Sequence, residues 1–106
     1  MKTKPEKDTE LHDKINRETG RIKWSELQRH FASGSVIWVS EALDLIDVAL
    51  RVAHDDRESV ARWMNEGSVT KVSDAQAQGW LEADEVLWAS VVSPFVLVQA
   101  EKKQLH

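Results

Sequence analysis

The chain has no cysteine and no tyrosine, no long apolar run and no excess of basic residues. Without cysteine, disulfides, thiolate metal sites and cysteine nucleophiles are excluded. No stretch approaches the roughly 20 apolar residues that a membrane-spanning helix needs. The opening MKTKPEKD has no apolar run behind its lysines, so it does not read as a secretory signal. These absences point to a cytoplasmic protein with no membrane partner. The formal net charge of −4 argues against a nucleic-acid backbone or an anionic lipid surface as the partner, since both call for a basic field. Motifs that carry chemistry are missing as well. There is no His-Glu-x-x-His metal pair, no Gly-x-Ser-x-Gly elbow and no glycine-rich phosphate loop with its lysine, and no cofactor is implied.

What is present describes an ordinary folded domain. With 106 residues, 42% hydrophobic and 30% charged, the chain can bury one core without metal or disulfide support. Five tryptophans are many for this length. Residues 1–8 are charged and lack large apolar side chains, so they read as a disordered tail; residues 9–100 form a single domain, and residues 101–106 a polar tail.

The stretch Ser40–His54 reads as a central helix capped by Ser40. At about 100° per residue, Asp44, Asp47, Arg51, His54 and Asp55 fall in one narrow polar stripe. Leu43, Leu45, Ile46, Val48, Ala49, Leu50, Val52 and Ala53 fill the remaining arc of roughly 220°, which must be covered on several sides. Before it, a short helix is expected from Thr9 with Leu11, Ile15 and Ile22 as contacts and Gly20 as its stop. A second opens at Ser25-x-x-Gln28, which has capping-box spacing, and closes at Gly34. Ser35–Val39 reads as a strand apolar on both faces. After the central helix, Asp55-x-x-Glu58 caps a helix with Val60, Trp63 and Met64 inward, closed by Gly67. Ser68–Val72 is a second strand, and its Lys71 suggests a sheet edge. Ser73-x-x-Gln76 opens a helix with Ala77, Trp80 and Leu81 inward. Valine density makes Val86–Val92 and Phe95–Gln99 strands, although the first also fits a continuing helix. Ser93-Pro94 between them is a poor two-residue hairpin turn, because proline cannot take a positive φ; a bend in one long path is the alternative.

Two segments repeat at a spacing of 33, Gly34–Ala42 and Gly67–Ala75, with six of nine positions identical. Each unit reads helix, glycine stop, strand, serine cap, helix. Duplication and convergence on common junction residues both account for it, and two intervening helices permit a parallel crossover. The expected fold is α/β: a mixed sheet of three to four strands with helices packed on it.

Candidate sites are few. Asp44, Asp47, His54 and Asp55, with Arg51 and Asp56 beside them, could bind a divalent metal or do acid–base chemistry, but a solvated helix face with an Asp47–Arg51 pair and aspartate caps is the favoured reading of them. His30, beside Leu27 and Phe31, reads as a half-buried packing residue. Trp38, Trp63, Trp80 and Trp88 lie on expected inner faces. Trp24, next to the Ser25 cap, is the tryptophan expected to be exposed and to anchor a partner. Phe95 and Leu97 would serve the same end if their strand were an edge.

The stretches Trp24-Ser25-Glu26-Leu27, Leu43-Asp44-Leu45-Ile46-Asp47-Val48-Ala49, Trp63 with Gly67, Lys71-Val72-Ser73 and Pro94-Phe95-Val96-Leu97-Val98-Gln99 together resemble a small bacterial family known only as a domain of unknown function. The resemblance covers residues 11–100. It implies a compact intracellular bacterial protein and carries over no activity and no catalytic residue. The expectation for function is a non-catalytic interaction or regulatory module that binds a protein partner or self-associates. The alternative is a small enzyme or metal-binding protein built on the acidic stripe.

Overall fold

A computed structural model describes residues 5–101. In chain order the elements are α1 (Pro5–Arg17), β1 (Thr19–Lys23), a 3₁₀ turn (Trp24–Leu27), α2 (Gln28–Ala32), β2 (Val36–Val39), α3 (Leu45–Ala53), α4 (Arg57–Glu66), β3 (Val69–Lys71), α5 (Asp74–Glu82), β4 (Val86–Val92) and β5 (Phe95–Ala100). The expected tails fall mostly outside the described residues. Where they are described, helix α1 already begins at Pro5, and Glu101 follows β5 without regular structure and pairs with Arg21 at 3.0 Å.

The five strands form one mixed sheet in the order β1-β4-β5-β2-β3. β5 runs parallel to β2 and antiparallel to β4; β1 and β3 pair antiparallel as the two edges. One strand more than expected is present, and it is β1. Gly20 does not stop a helix but pairs with Ala89, and Ile22 sits on the strand opposite Leu87. With Arg21 and Lys23 turned to solvent, β1 has the blunted character of a natural edge. Lys71 lies on the other edge, as expected. The parallel crossover is a correction: β2 and β3 are antiparallel, with Ile37 opposite Lys71 and Trp38 opposite Thr70.

Period-two alternation divides the side chains between two cores. Val36, Leu87, Ala89, Val96 and Val98 meet Trp24, Leu27, Val72 and Ala77 on one face. Val39, Val69 and Leu97 meet Ile15 of α1, Leu45, Val48 and Ala49 of α3, and Trp63 of α4 on the other. The domain is thus three layers, helix, sheet, helix, and α3 is the middle helix of its layer, between α1 and α4. β2 is covered on both sides, as its double apolar pattern requires.

Helix boundaries follow local hydrogen bonding. Helix α3 starts at Leu45, capped by Asp44, whose Oδ1 accepts the N–H groups of Ile46 at 2.9 Å and Asp47 at 3.2 Å. Ser40 is not the cap. Gln99 explains the delay: its Nε2 donates to the carbonyls of Ser40 at 2.8 Å and Leu43 at 2.7 Å, which commits residues 40–43 to a loop. Ser73, in the matching position of the repeat, does cap α5 in a full capping box with Gln76. Three residues after Ser40 stands Leu43, which has no amide to return the bond. The Ser25–Gln28 box does not form either; that stretch is the 3₁₀ turn, anchored by the Trp24 N–H on the Glu85 carbonyl at 2.9 Å.

Both glycine stops behave as expected. Gly34 and Gly67 each take φ +78°. In each case the next serine N–H reaches back over the stop, Ser35 to His30 and Ser68 to Trp63. Helix α4 is capped by Asp56 rather than Asp55; Asp55 precedes it with φ 59°. Strands β4 and β5 form a hairpin in which Val92 pairs with Phe95, so Ser93-Pro94 is a two-residue turn after all. Its peptide bond is cis, and proline at the third position of such a turn needs no positive φ.

Candidate functional site

The residues singled out in the sequence are scattered. Asp44 and His54 flank opposite ends of α3, separated by ten residues and hence by about 15 Å along the axis. Asp44 is occupied as the cap. Asp47 and Arg51 lie 3.8 Å apart on the exposed face, and Arg51 reaches on to Asp56 at 3.1 Å. Asp56 also accepts the Ser59 N–H at 3.2 Å and the Ser59 hydroxyl at 2.9 Å. Those bonds from Ser59, first from its N–H and then from its hydroxyl, with a smaller part from Arg51, hold the Asp56 carboxyl below its ordinary 3.8 against a weaker opposing effect of burial. Asp55 is exposed and pairs with Arg57 at 3.4 Å. Among the described residues no three His, Asp or Glu side chains come together in a group that could hold a metal ion.

The aromatic candidates change places. Trp24 is fully buried, with its ring edge-on to Phe31 at 5.4 Å and to Trp80 at 5.1 Å. Its Nε1 is buried with no hydrogen-bond partner among the described residues, and with no exposed surface the ring does not present the anchor expected of it. Leu97 is buried too, and β5 is an interior strand rather than an edge. Trp63 is buried and Trp38 and Trp80 pack against the core as expected, whereas Trp88 is open to solvent. His30 is exposed, not half-buried. Met64 and Leu81, both expected inward, are exposed as well.

What the fold does assemble is an apolar groove. It has a volume of about 470 Å³ and lies where the C-terminal end of α3 and the start of α4 overhang the sheet. Ile37, Phe95 and Leu97 form its floor; Val52 and Val60 form its roof. Period-two alternation puts the three floor residues on one face, and the cross-strand pair Ile37–Leu97 sets two of them side by side. Helix α3 ends at Ala53, so no further turn covers Phe95, which stays 39% exposed. Met64 on the rim is 56% exposed. The walls carry both signs: Asp55 and Asp56 on the helix corner, Lys71 on the edge strand. Phe95 and Leu97, both expected to meet a partner, and Asp55 at the corner were the legible members of this groove. Ile37 and Met64 were read only as core positions, and period alone does not show which end of a face is left uncovered.

With an apolar floor and Asp55, Asp56, Arg57, Thr70 and Lys71 around it, the groove can take up an apolar surface and order charged groups at its rim. Comparison with other proteins identifies a family and a fold. The family model described as "Protein of unknown function (DUF2288)" matches residues 10–100. The NMR solution structure of PA1075 from Pseudomonas aeruginosa is similar over 100% of both chains, with 44% sequence identity and a TM-score of 0.78. Among curated proteins no match was found.

Proposed function

This chain belongs to the DUF2288 family of proteins of unknown function, and on that premise we propose that it is a non-catalytic interaction module that pairs with a second copy of itself through the apolar groove. The observation that carries the reading is the exposure of Met64 and Phe95 at the mouth of a groove floored by Ile37 and Leu97. Large apolar side chains gathered at one concave place favour burial against a partner. The choice of a second copy rests on charge. Lys71 on the sheet wall makes no ion pair among the described residues, while the helix wall carries Asp55 and Asp56 in weak surface pairs with Arg57 and Arg51, which an incoming cation can exchange. A twofold axis through the groove would set Lys71 of each copy against the Asp55–Asp56 corner of the other, the self-complementarity an isologous contact requires.

Size-exclusion chromatography with light scattering tests this. Dimer is expected for the wild-type chain and monomer for Met64→Glu and Phe95→Ser. A wild-type chain that stays monomeric at high concentration, or variants that dimerise unchanged, would sink the reading.

A further inference from the structure

A second opening lies on the same sheet face at the other end of α3. It is a cavity of about 510 Å³ bounded by Asn16, Leu43, Asp44, Ile46, Trp88 and Gln99 among others. Its outer wall is the loop over residues 40–44 that Gln99 holds by two carbonyls. Both acceptors there are carbonyl oxygens, so the amide nitrogen must face them and Oε1 must face away from them. Gln99 is only 8% exposed, and no donor among the described residues serves Oε1.

The other polar groups follow the same pattern. Asp44 lines the cavity and caps α3 through Oδ1 alone, so Oδ2 is not used by the cap. The N–H groups of Ile46 and Asp47 are consumed by that cap, and the Asp44 carboxylate beside them disfavours an anion at this helix start. Asn16 directs its Nδ2 to the His12 ring at 3.3 Å. Trp88 stands on an interior strand yet is 37% exposed. Its cross-strand neighbour Arg21 is paired with Glu101 at 3.0 Å. The cavity therefore presents hydrogen-bond acceptors, one negative charge and an indole ring.

We propose that this cavity binds a guanidinium group carried on an apolar stem, as in arginine. A guanidinium is planar and permanently charged; it stacks on an indole and donates in a fork. Asp44 Oδ2 and Gln99 Oε1 receive its N–H groups, the charged acceptor giving the stronger bond. Leu43 and Ile46 flank the stem. The site is distinct from the apolar groove, and its failure would leave the dimer reading untouched.

The test is an NMR titration of the ¹⁵N-labelled protein with Nα-acetyl-arginine amide, following the Trp88 indole N–H. Free arginine is titrated in parallel, and blocked citrulline, planar but neutral, is the control. Blocked arginine is expected to move the Trp88 signal, with citrulline weaker by about tenfold. Asp44→Asn keeps a good helix cap and removes only the charge, so it too is expected to bind about tenfold more weakly with an unchanged unfolding midpoint. Blocked arginine binding better than free arginine supports the site with a peptide source; equal or better binding of the free form supports it with a small-molecule source. No movement of Trp88 with either form, equal binding of citrulline, or an unaltered affinity in folded Asp44→Asn overturns the proposal.

Discussion

A glutamine that donates both amide hydrogens to loop carbonyls cannot be exchanged for an apolar side chain without leaving those carbonyls unserved. Gln99→Leu is therefore expected to destabilise the fold by about 1–3 kcal/mol, the usual cost of orphaned buried polar groups, measured by urea denaturation; a loss near zero would mean water replaces the amide. Asp56 makes a prediction about acid. Its carboxyl is held below 3.8 in the folded chain by Ser59 and Arg51. A depressed folded value means the contribution is complete above the unfolded value and disappears as pH falls through the folded one. Wild-type stability should thus fall with pH below about 4 more steeply than that of Asp56→Asn, which still accepts the Ser59 N–H. Parallel slopes in urea titrations at stepped pH would count against it. At this scale the sequence misled most where a neighbour's polarity stood in for burial. Trp24 sits between Lys23 and Ser25 and was expected outside, yet its ring closes one core, because exposure is decided by what folds over a residue.

The two serines of the internal repeat separate pattern from structure at the scale of elements. Ser73→Ala removes a working capping box and should cost about 1 kcal/mol. Ser40→Ala removes only a loop contact to the Ala42 N–H at 3.1 Å and should stay within about 0.5 kcal/mol. Equal thermal shifts for the two would show that the repeat is functionally symmetric after all. The difference was legible in Leu43 against Gln76, one residue in each unit. Most helices, both glycine stops and four strands were readable because amphipathic period and φ preference are local properties. β1 was not, since Ile22 is its only large apolar residue and Gly20 mimics a helix stop; only pairing with β4 makes it a strand. The true start of α3 was equally hidden, because the group that delays it, Gln99, lies more than fifty residues away in the chain.

For the whole molecule, the order of the strands settles which surfaces are left for others. The edges are β1 and β3, short and carrying Arg21, Lys23 and Lys71, which discourages strand addition. On the proposed dimer reading, association is directed away from the sheet edges and toward the groove. Met64→Glu and Phe95→Ser should each abolish the dimer; Met64→Glu, at an exposed position, should shift the monomer's unfolding free energy by no more than about 0.5 kcal/mol, and Phe95→Ser, at a half-covered one, by about 1 kcal/mol. Analytical ultracentrifugation paired with urea denaturation reads both quantities. A variant that loses the dimer only by losing its fold would not support the groove. Lys71→Glu should weaken the dimer as well, and added salt should weaken the wild type in the same sense. The mixed sheet and its two helical layers were foreseeable from alternation; the uncovered corner was not, because it depends on where α3 stops relative to a strand that comes later.

The middle strand of the sheet, β5, is the last strand to be synthesised. Until it emerges from the ribosome, β1 with β4 and β2 with β3 can form only separate ribbons, and two-stranded ribbons are marginal by themselves. The growing chain must therefore keep its valine-rich segments from one another until residues 95–100 arrive, and then close in a single cooperative step. A stop codon anywhere before Phe95 would produce no smaller working version of this domain, only a substrate for chaperones and proteases.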